Sequence, residues 1–225
     1  MKKHRLRNFK SIQEFKESIN KTSVFIHGLE STIAATEVVL DFTEAKHSPE
    51  YGKYKNFLEF DDIKKSYLYE LGFVALFSNF EFFMPNFLKE LFLRYPNSIK
   101  SEKNVSLEEI VDFKNIKDIR EYFADIIATE KSYDVKSWVD FLSKKFNIKV
   151  FKTKKQLQRF LMLNALRNLY MHSGGITNAK FRKEMKNFLK TRVPLGQRVG
   201  LDRRQYFEIL HHELHLILKG LQLYA

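Results

Sequence analysis

The sequence has 225 residues, of which 44% are hydrophobic, so we expect a single domain over residues 1–225 with a sizeable core. It contains no cysteine, which excludes disulfides, thiolate nucleophiles and thiolate metal sites. The formal net charge of +12 favours a polyanionic partner such as nucleic acid, although an AT-rich coding sequence would also enrich lysine.

The start of the sequence predicts a soluble, cytoplasmic protein without membrane contact. It reads "MKKHRLRNFKSIQEF" and lacks the apolar stretch of a secretory signal. No uninterrupted apolar run approaches the roughly 20 residues of a membrane-spanning helix. The basic residues within positions 1–10 predict either an arm that contacts RNA or a disordered tail without function.

Two long helices are predicted in the first half of the chain. Apolar residues keep a helical spacing from residue 11 to 45, opened by a Ser-x-x-Glu capping box at Ser11. Residues 46–60 contain proline and glycine and predict a connector. The second long helix is expected over residues 61–95, with a kink at Pro85 because proline removes an amide donor.

The second half also has a mainly helical period. The spacing predicts helices over residues 106–113, 115–129, 134–146, 153–171, 178–190 and 203–224. Residues 147–151 are short and apolar, and we expect a strand-like connector there. Residues 192–202 contain one proline and two glycines, which predict a small irregular or hairpin insertion before the last helix. The expected fold is therefore an all-α helical bundle.

One predicted helix ends in an unusual way. "LRNLYMHSGG", residues 166–175, places Arg167, Asn168, Tyr170 and His172 in the last turns before two glycines. On a straight helix the side chains of Arg167 and His172 point about 140° apart. Both can reach one phosphate only if the helix unwinds at His172 or if two copies face each other across a two-fold axis.

These residue types suit metal-independent cleavage of RNA. A guanidinium can clamp a phosphate and stabilise the charge of the transition state, as Arg167 would. An imidazole such as that of His172 can take a proton from a ribose 2′-hydroxyl or give one to the leaving 5′-oxygen. Asn168 and Tyr170 can hold substrate or orient the imidazole. A purely structural alternative remains, because basic side chains near a helix C-terminus stabilise the macrodipole.

Basic residues downstream of this motif are candidates for a phosphate-binding rim. They include Lys180, Arg182 and Lys183, followed by Lys186, Lys190, Arg192 and Arg198. A plain solvated face would have the same composition.

Two other patterns invite a functional interpretation. The Phe-rich run over residues 73–92 is more typical of a core or an interface than of a base-stacking platform. "HHELH", residues 211–215, misses the His-Glu-x-x-His order of zinc proteases by one position. We therefore expect no functional metal site and no cofactor.

The motif resembles that of a known family. "RNLYMH" fits the arginine, polar residue, three residues and histidine of the HEPN superfamily. The longer stretch "LNALRNLYMHSGGITNAKF", the later "GQRVGLD" and the upstream "LFSNFEFFMPNFLKELF" are similar to the RiboL-PSP-HEPN group. The similarity spans residues 70 to 222.

The resemblance implies a helical homodimer that acts as a metal-independent endoribonuclease and leaves 2′,3′-cyclic phosphate ends. It implies Arg167, Asn168 and His172 as catalytic residues. Glu81 is a further catalytic candidate, because a carboxylate among phenylalanines needs a partner such as Arg167. An exposed Glu81 on a solvated edge is the alternative.

The resemblance also implies a biological role. The expected role is that of a toxin or antiviral, abortive-infection effector that acts on RNA, with an antitoxin or other regulatory partner. A non-catalytic HEPN-like module that binds RNA or protein is the alternative.

Overall fold

The protein is all-α in the residues that the computed structural model describes, which are 6–43, 47–52, 62–98, 106–111, 113–186, 188, 194–199 and 203–222. The predicted fold class is therefore confirmed. The helices are α1 (Lys10–Phe42), α2 (Asp62–Arg94), α3 (Leu107–Val111), α4 (Ile116–Ser132), α5 (Val135–Phe146), α6 (Lys154–Ser173), α7 (Ala179–Met185) and α8 (Arg203–Gln222).

Local capping explains where the middle helices begin. Ser106 and Glu109 form a capping box at α3, in which the Glu109 N–H donates to Ser106 Oγ at 3.3 Å and the Ser106 N–H donates to Glu109 Oε2 at 3.2 Å. The side chain of Asn115 caps α4, and that of Asp134 caps α5. These starts agree with the predicted boundaries because the capping residues are adjacent in sequence.

The start of α1 is capped differently from the prediction. Glu90, in the C-terminal part of α2, accepts hydrogen bonds from the backbone N–H groups of Lys10 and Ser11, each at 3.1 Å. It also accepts one from the Ser11 hydroxyl at 2.8 Å. The predicted box at Ser11 is therefore replaced by a distant carboxylate that binds the positive end of the helix.

The connector after α5 is not a strand. Asn147 ends α5 in the left-handed conformation, with φ 56°. Ile148 and Val150 are buried in the irregular segment that follows. A Cβ on Gly220 of α8 would lie 2.8 Å from the Val150 carbonyl oxygen, so glycine lets α8 approach this backbone closely.

The segment before α8 does not pair with itself in its described part, residues 194–199. Arg198 instead forms an isolated antiparallel bridge with Ile176, in the loop after α6. Of the two predicted alternatives, an irregular or a hairpin insertion, the described residues 194–199 form the irregular one, because Arg198 pairs with the α6–α7 loop. Lys190 and Arg192 lie outside the described residues, as do positions 1–5 of the predicted basic arm.

Two compact units divide the chain. Unit 1 comprises Met1–Ser18, Phe77–Met162 and Glu213–Ala225, and unit 2 comprises Ile19–Leu76 and Leu163–His212. Helices α1, α2, α6 and α8 each contribute residues to both units. Unit 1 buries an aromatic core that includes Phe80, Trp138 and Phe160. Unit 2 buries a core that includes Ile26, Phe73 and Phe207.

The Phe-rich run belongs mainly to the core, as predicted. Six of its phenylalanines are buried, whereas Phe82 is 71% exposed. The buried set is Phe73, Phe77, Phe80, Phe83, Phe87 and Phe92.

Among the residues that the structure describes, two helices are long and apolar enough to span a membrane by length and composition alone. They are Lys10–Phe42 and Ser66–Arg94, and half of the apolar window of the second is buried, as in a core helix. Only 6% of the window in the first is buried, so α1 exposes large apolar residues such as Phe25 and Phe42. The predicted lack of membrane contact stays a prediction.

Candidate functional site

Two glycines end α6 immediately after the Arg167 to His172 motif. Gly174 and Gly175 have φ of 54° and 79°, the left-handed conformation that glycine adopts without strain. The Gly175 N–H donates back to the Leu169 carbonyl at 3.2 Å, so the chain turns back onto the end of α6. A Cβ on Gly175 would lie 3.0 Å from the ring of Tyr170. The second glycine thus gives the chain room to turn across Tyr170.

The loop after these glycines is held by the segment that precedes α8. The Val199 N–H donates to the Gly175 carbonyl, and the Thr177 N–H donates to the Gln197 carbonyl, each at 2.9 Å. The Thr177 hydroxyl is buried and donates to the Pro194 carbonyl at 2.6 Å. These bonds fix the path of the chain from α6 into α7.

Asn178 joins the start of α7 to the end of α6. Its side-chain oxygen accepts a hydrogen bond from the Phe181 N–H at 2.8 Å, which caps α7. Its side-chain NH2 group donates to the Ser173 hydroxyl at 2.8 Å. Since both bonds come from one side chain, α7 is anchored one residue beyond His172.

A cavity of about 120 Å³ lies between α6 and α7 within unit 2. The exposed side chain of His172 lines it, and so does Asn168, which lies four residues earlier on the same helix face. From α7 come Lys180 and Glu184. The full lining is Ala165, Asn168, Leu169, His172, Ser173, Asn178, Lys180, Phe181 and Glu184.

Arg167 does not line this cavity but contacts a residue that does. Its Nη1 donates to Oδ1 of Asn168 at 3.0 Å. Because α6 stays helical through Ser173, the helix does not unwind at His172. The route that needs local unwinding is therefore not observed, and the two-fold arrangement stays a prediction.

Of the other predicted site residues, one lines the cavity and four do not. Lys180 lines the cavity, whereas Arg182 and Lys183 lie on α7 outside its lining. Tyr170 is buried and packs edge-on against Phe73, with ring centroids 6.1 Å apart, so it does not face the cavity. Glu81 is exposed, so water can hydrate its carboxylate and burial does not require an ion pair with Arg167.

Glu184 is the cavity residue that the sequence analysis missed. It is half-buried and lies one helical turn after Lys180. The available signal was its charge, because Glu184 is the only acidic residue in the basic stretch from 178 to 192.

The histidine-rich segment of α8 is built around a buried ion pair. Glu213 is fully buried, and its Oε1 lies 2.6 Å from Nη1 of Arg159, within unit 1. His211 stacks on Phe207, with centroids 6.4 Å apart. No group of three or more histidine, aspartate or glutamate side chains with metal-binding geometry occurs in the described part of the chain.

A second polar cluster in unit 2 surrounds Tyr69. Its hydroxyl donates a short hydrogen bond to Oε2 of Glu30, whose Oε1 lies 3.4 Å from Nη1 of Arg204. Burial and, next, the hydrogen bond to Glu30 raise the pKa of Tyr69 above its ordinary value. Tyr69 is therefore neutral at physiological pH and acts as a hydrogen-bond donor.

Comparisons with protein-family models, curated proteins and solved structures gave no match to this chain. The resemblance to the HEPN superfamily therefore depends on the sequence stretches quoted above, and the cavity is the structural feature that bears on function.

Proposed function

We propose that the protein is a metal-independent endoribonuclease of HEPN type that acts as a homodimer. The observation that carries this proposal is the exposed His172 on the wall of a cavity that Asn168 and Lys180 also line. An imidazole beside an ammonium group suits proton transfer at a phosphodiester whose charge the lysine offsets. The net charge of +12 favours an RNA substrate.

Asn168 connects Arg167 to this chemistry. Its Oδ1 accepts from the guanidinium at 3.0 Å, which leaves its side-chain NH2 group as a donor on the cavity wall. An amide donor can hold a phosphate oxygen or a ribose hydroxyl. Arg167 would stabilise a phosphate that is bound between two copies of the chain, in keeping with the dimer that the resemblance implies.

The biological role that we propose is a toxin or antiviral effector in the cytoplasm. Uncontrolled cleavage of cellular RNA would stop growth, so such a protein needs an antitoxin or another regulatory partner. Expression in a host cell should arrest growth, and Arg167→Ala and His172→Ala should each relieve the arrest.

Cleavage of total cellular RNA by purified protein in EDTA tests the proposed chemistry. Wild type should cleave and leave 2′,3′-cyclic phosphate and 5′-hydroxyl ends. His172→Ala should lose at least about 100-fold in rate, since general acid–base catalysis contributes that much, and Arg167→Ala should also be impaired. Exposed residues outside the cavity supply matched controls, His212→Ala and Arg120→Ala, which should cleave like wild type.

The alternative is a non-catalytic module that binds RNA or protein. The observation that favours it is that Arg167 is engaged with Asn168 and does not line the cavity. Folded protein that retains RNA but never cleaves it, with growth unaffected by its expression, would support this alternative. Cleavage that EDTA abolishes would contradict both.

A further inference from the structure

Glu184 has the properties of a reactive group. Its side chain is half-buried on α7 and lines the same cavity as His172 and Lys180. None of the described residues forms a hydrogen bond or ion pair with its carboxylate. A carboxylate on a cavity wall that no described residue engages is available to accept a proton from a bound ligand.

The facing group, His172, is also uncommitted. It is exposed, and no described residue hydrogen-bonds to its ring. An acid and an imidazole thus line one small cavity from two different helices, with Lys180 beside them. Asn178 fixes the two helices relative to each other through its bonds to Ser173 and Phe181.

We propose that Glu184 is the general base of the reaction and that His172 is the general acid. This assignment rests on the ribonuclease function proposed above. It also defines the substrate class: the site takes RNA whose 2′-hydroxyl enters the cavity, and it does not cleave DNA.

The step is balanced within these groups. The Glu184 carboxylate takes the proton of the 2′-hydroxyl, and the 2′-oxygen forms a bond to phosphorus. The bond from phosphorus to the 5′-oxygen breaks, and the imidazolium of His172 gives its proton to that oxygen. The products are a 2′,3′-cyclic phosphate and a 5′-hydroxyl, and exchange of one proton with water restores both side chains.

The chemistry of the two groups favours this division of roles. An ionised carboxylate has only acceptor atoms, which suits the base, whereas a protonated imidazole has only N–H donors, which suits the acid. Lys180 lines the same cavity, where its positive charge can offset the charge that develops on the phosphate oxygens.

A substrate with sulfur in place of the 5′-oxygen at one cleavage site separates the two roles. The thiolate leaves without a proton, so this substrate does not need the general acid. His172→Ala should be at least about 100-fold slower than wild type on the oxygen substrate and close to wild type on the sulfur substrate. Glu184→Gln should be at least about 100-fold slower on both substrates, because the 2′-hydroxyl still needs a base.

Four controls separate a catalytic defect from a structural one. Glu108→Gln changes an exposed glutamate of α3, far along the chain from the cavity residues, and should cleave like wild type. Glu184→Gln should keep the wild-type unfolding temperature and should bind an RNA with a 2′-deoxy cleavage site as tightly as wild type. Added formate should restore part of the activity of Glu184→Ala.

The outcomes distinguish the inference from the function on which it rests. If wild type cleaves and Glu184→Gln matches it, the role of Glu184 is overturned while the ribonuclease function stands. If sulfur restores Glu184→Gln instead of His172→Ala, the two roles are reversed and the assignment is wrong. If wild type cleaves neither substrate, the proposed function fails and the assignment fails with it.

Discussion

The buried ion pair between Arg159 and Glu213 allows a quantitative prediction about stability. Nη1 of Arg159 lies 2.6 Å from Oε1 of Glu213, whose side chain is 0% exposed, whereas that of Arg159 is 40% exposed. Arg159→Met leaves a buried carboxylate that no cation compensates. Breaking such a pair from one side costs about 3–5 kcal/mol, and we expect about 3 because water can approach from the exposed side of Arg159.

The reverse variant should cost much less. Glu213→Leu removes the buried charge and leaves Arg159 free to turn towards solvent, so we expect a loss of about 1 kcal/mol or less. In the double variant the buried carboxylate is absent, so Arg159→Met should lower the free energy of unfolding hardly further than Glu213→Leu alone. The two substitutions should therefore be coupled by about 3 kcal/mol rather than additive.

Urea unfolding, followed by far-UV circular dichroism, gives the free energy of unfolding of wild type, the two single variants and the double variant. Lys89→Met is the matched control, because Lys89 and Asp125 form an exposed pair with a Nζ to Oδ1 distance of 2.8 Å. Loss of an exposed pair costs less than about 1 kcal/mol. The reasoning fails if Arg159→Met is no more costly than this control, or if the effects of Arg159→Met and Glu213→Leu are additive.

Two further predictions concern unit 2. Gly175→Ala should lower the free energy of unfolding by about 2 kcal/mol or more, because the left-handed φ strains alanine and its Cβ meets the ring of Tyr170. Gly196 has a similar φ but open space where a Cβ would be, so Gly196→Ala should lower the free energy of unfolding by only about 1 kcal/mol. Equal shifts of the unfolding temperature in the two variants would disprove the contact between a Cβ at position 175 and the Tyr170 ring. Because the folded pKa of Tyr69 is raised, its stabilising contribution is complete below pH about 10 and is lost as the pH rises further. The free energies of unfolding of wild type and Tyr69→Phe should be measured at increasing pH. The difference between them should shrink above pH about 10, and a constant difference would contradict this role of Tyr69.

Helix positions were predictable where the determining residues are close in sequence. Asn115 and Asp134 cap the helices that follow them, and each capping side chain accepts from an N–H no more than three residues away. The cap of α1 was not predictable in this way, because Glu90 is 79 residues from Ser11. Only packing of the folded chain brings that carboxylate to the helix end.

The candidate site was predictable in part for the same reason. His172 and Asn168 were found because they share one helix and one motif. Glu184 was missed because it reaches the cavity only after Asn178 and the bridge between Ile176 and Arg198 have turned α7 back. A helical period shows which residues share a face, but not which face of another helix lies opposite.

Because α6 is an uninterrupted helix through Ser173, acid–base catalysis and phosphate binding would be supplied by different parts of the motif. On our proposal, Glu184, His172 and Lys180 of one chain supply the base, the acid and a cation within one cavity. Arg167 does not line that cavity, so the proposal assigns it neither proton transfer there. On the same proposal, a second copy would supply the guanidinium that binds the phosphate, and the acid–base pair would come from one chain. This division explains why the motif can keep arginine and histidine five residues apart, a spacing that would not suit two groups acting on one atom from one helix.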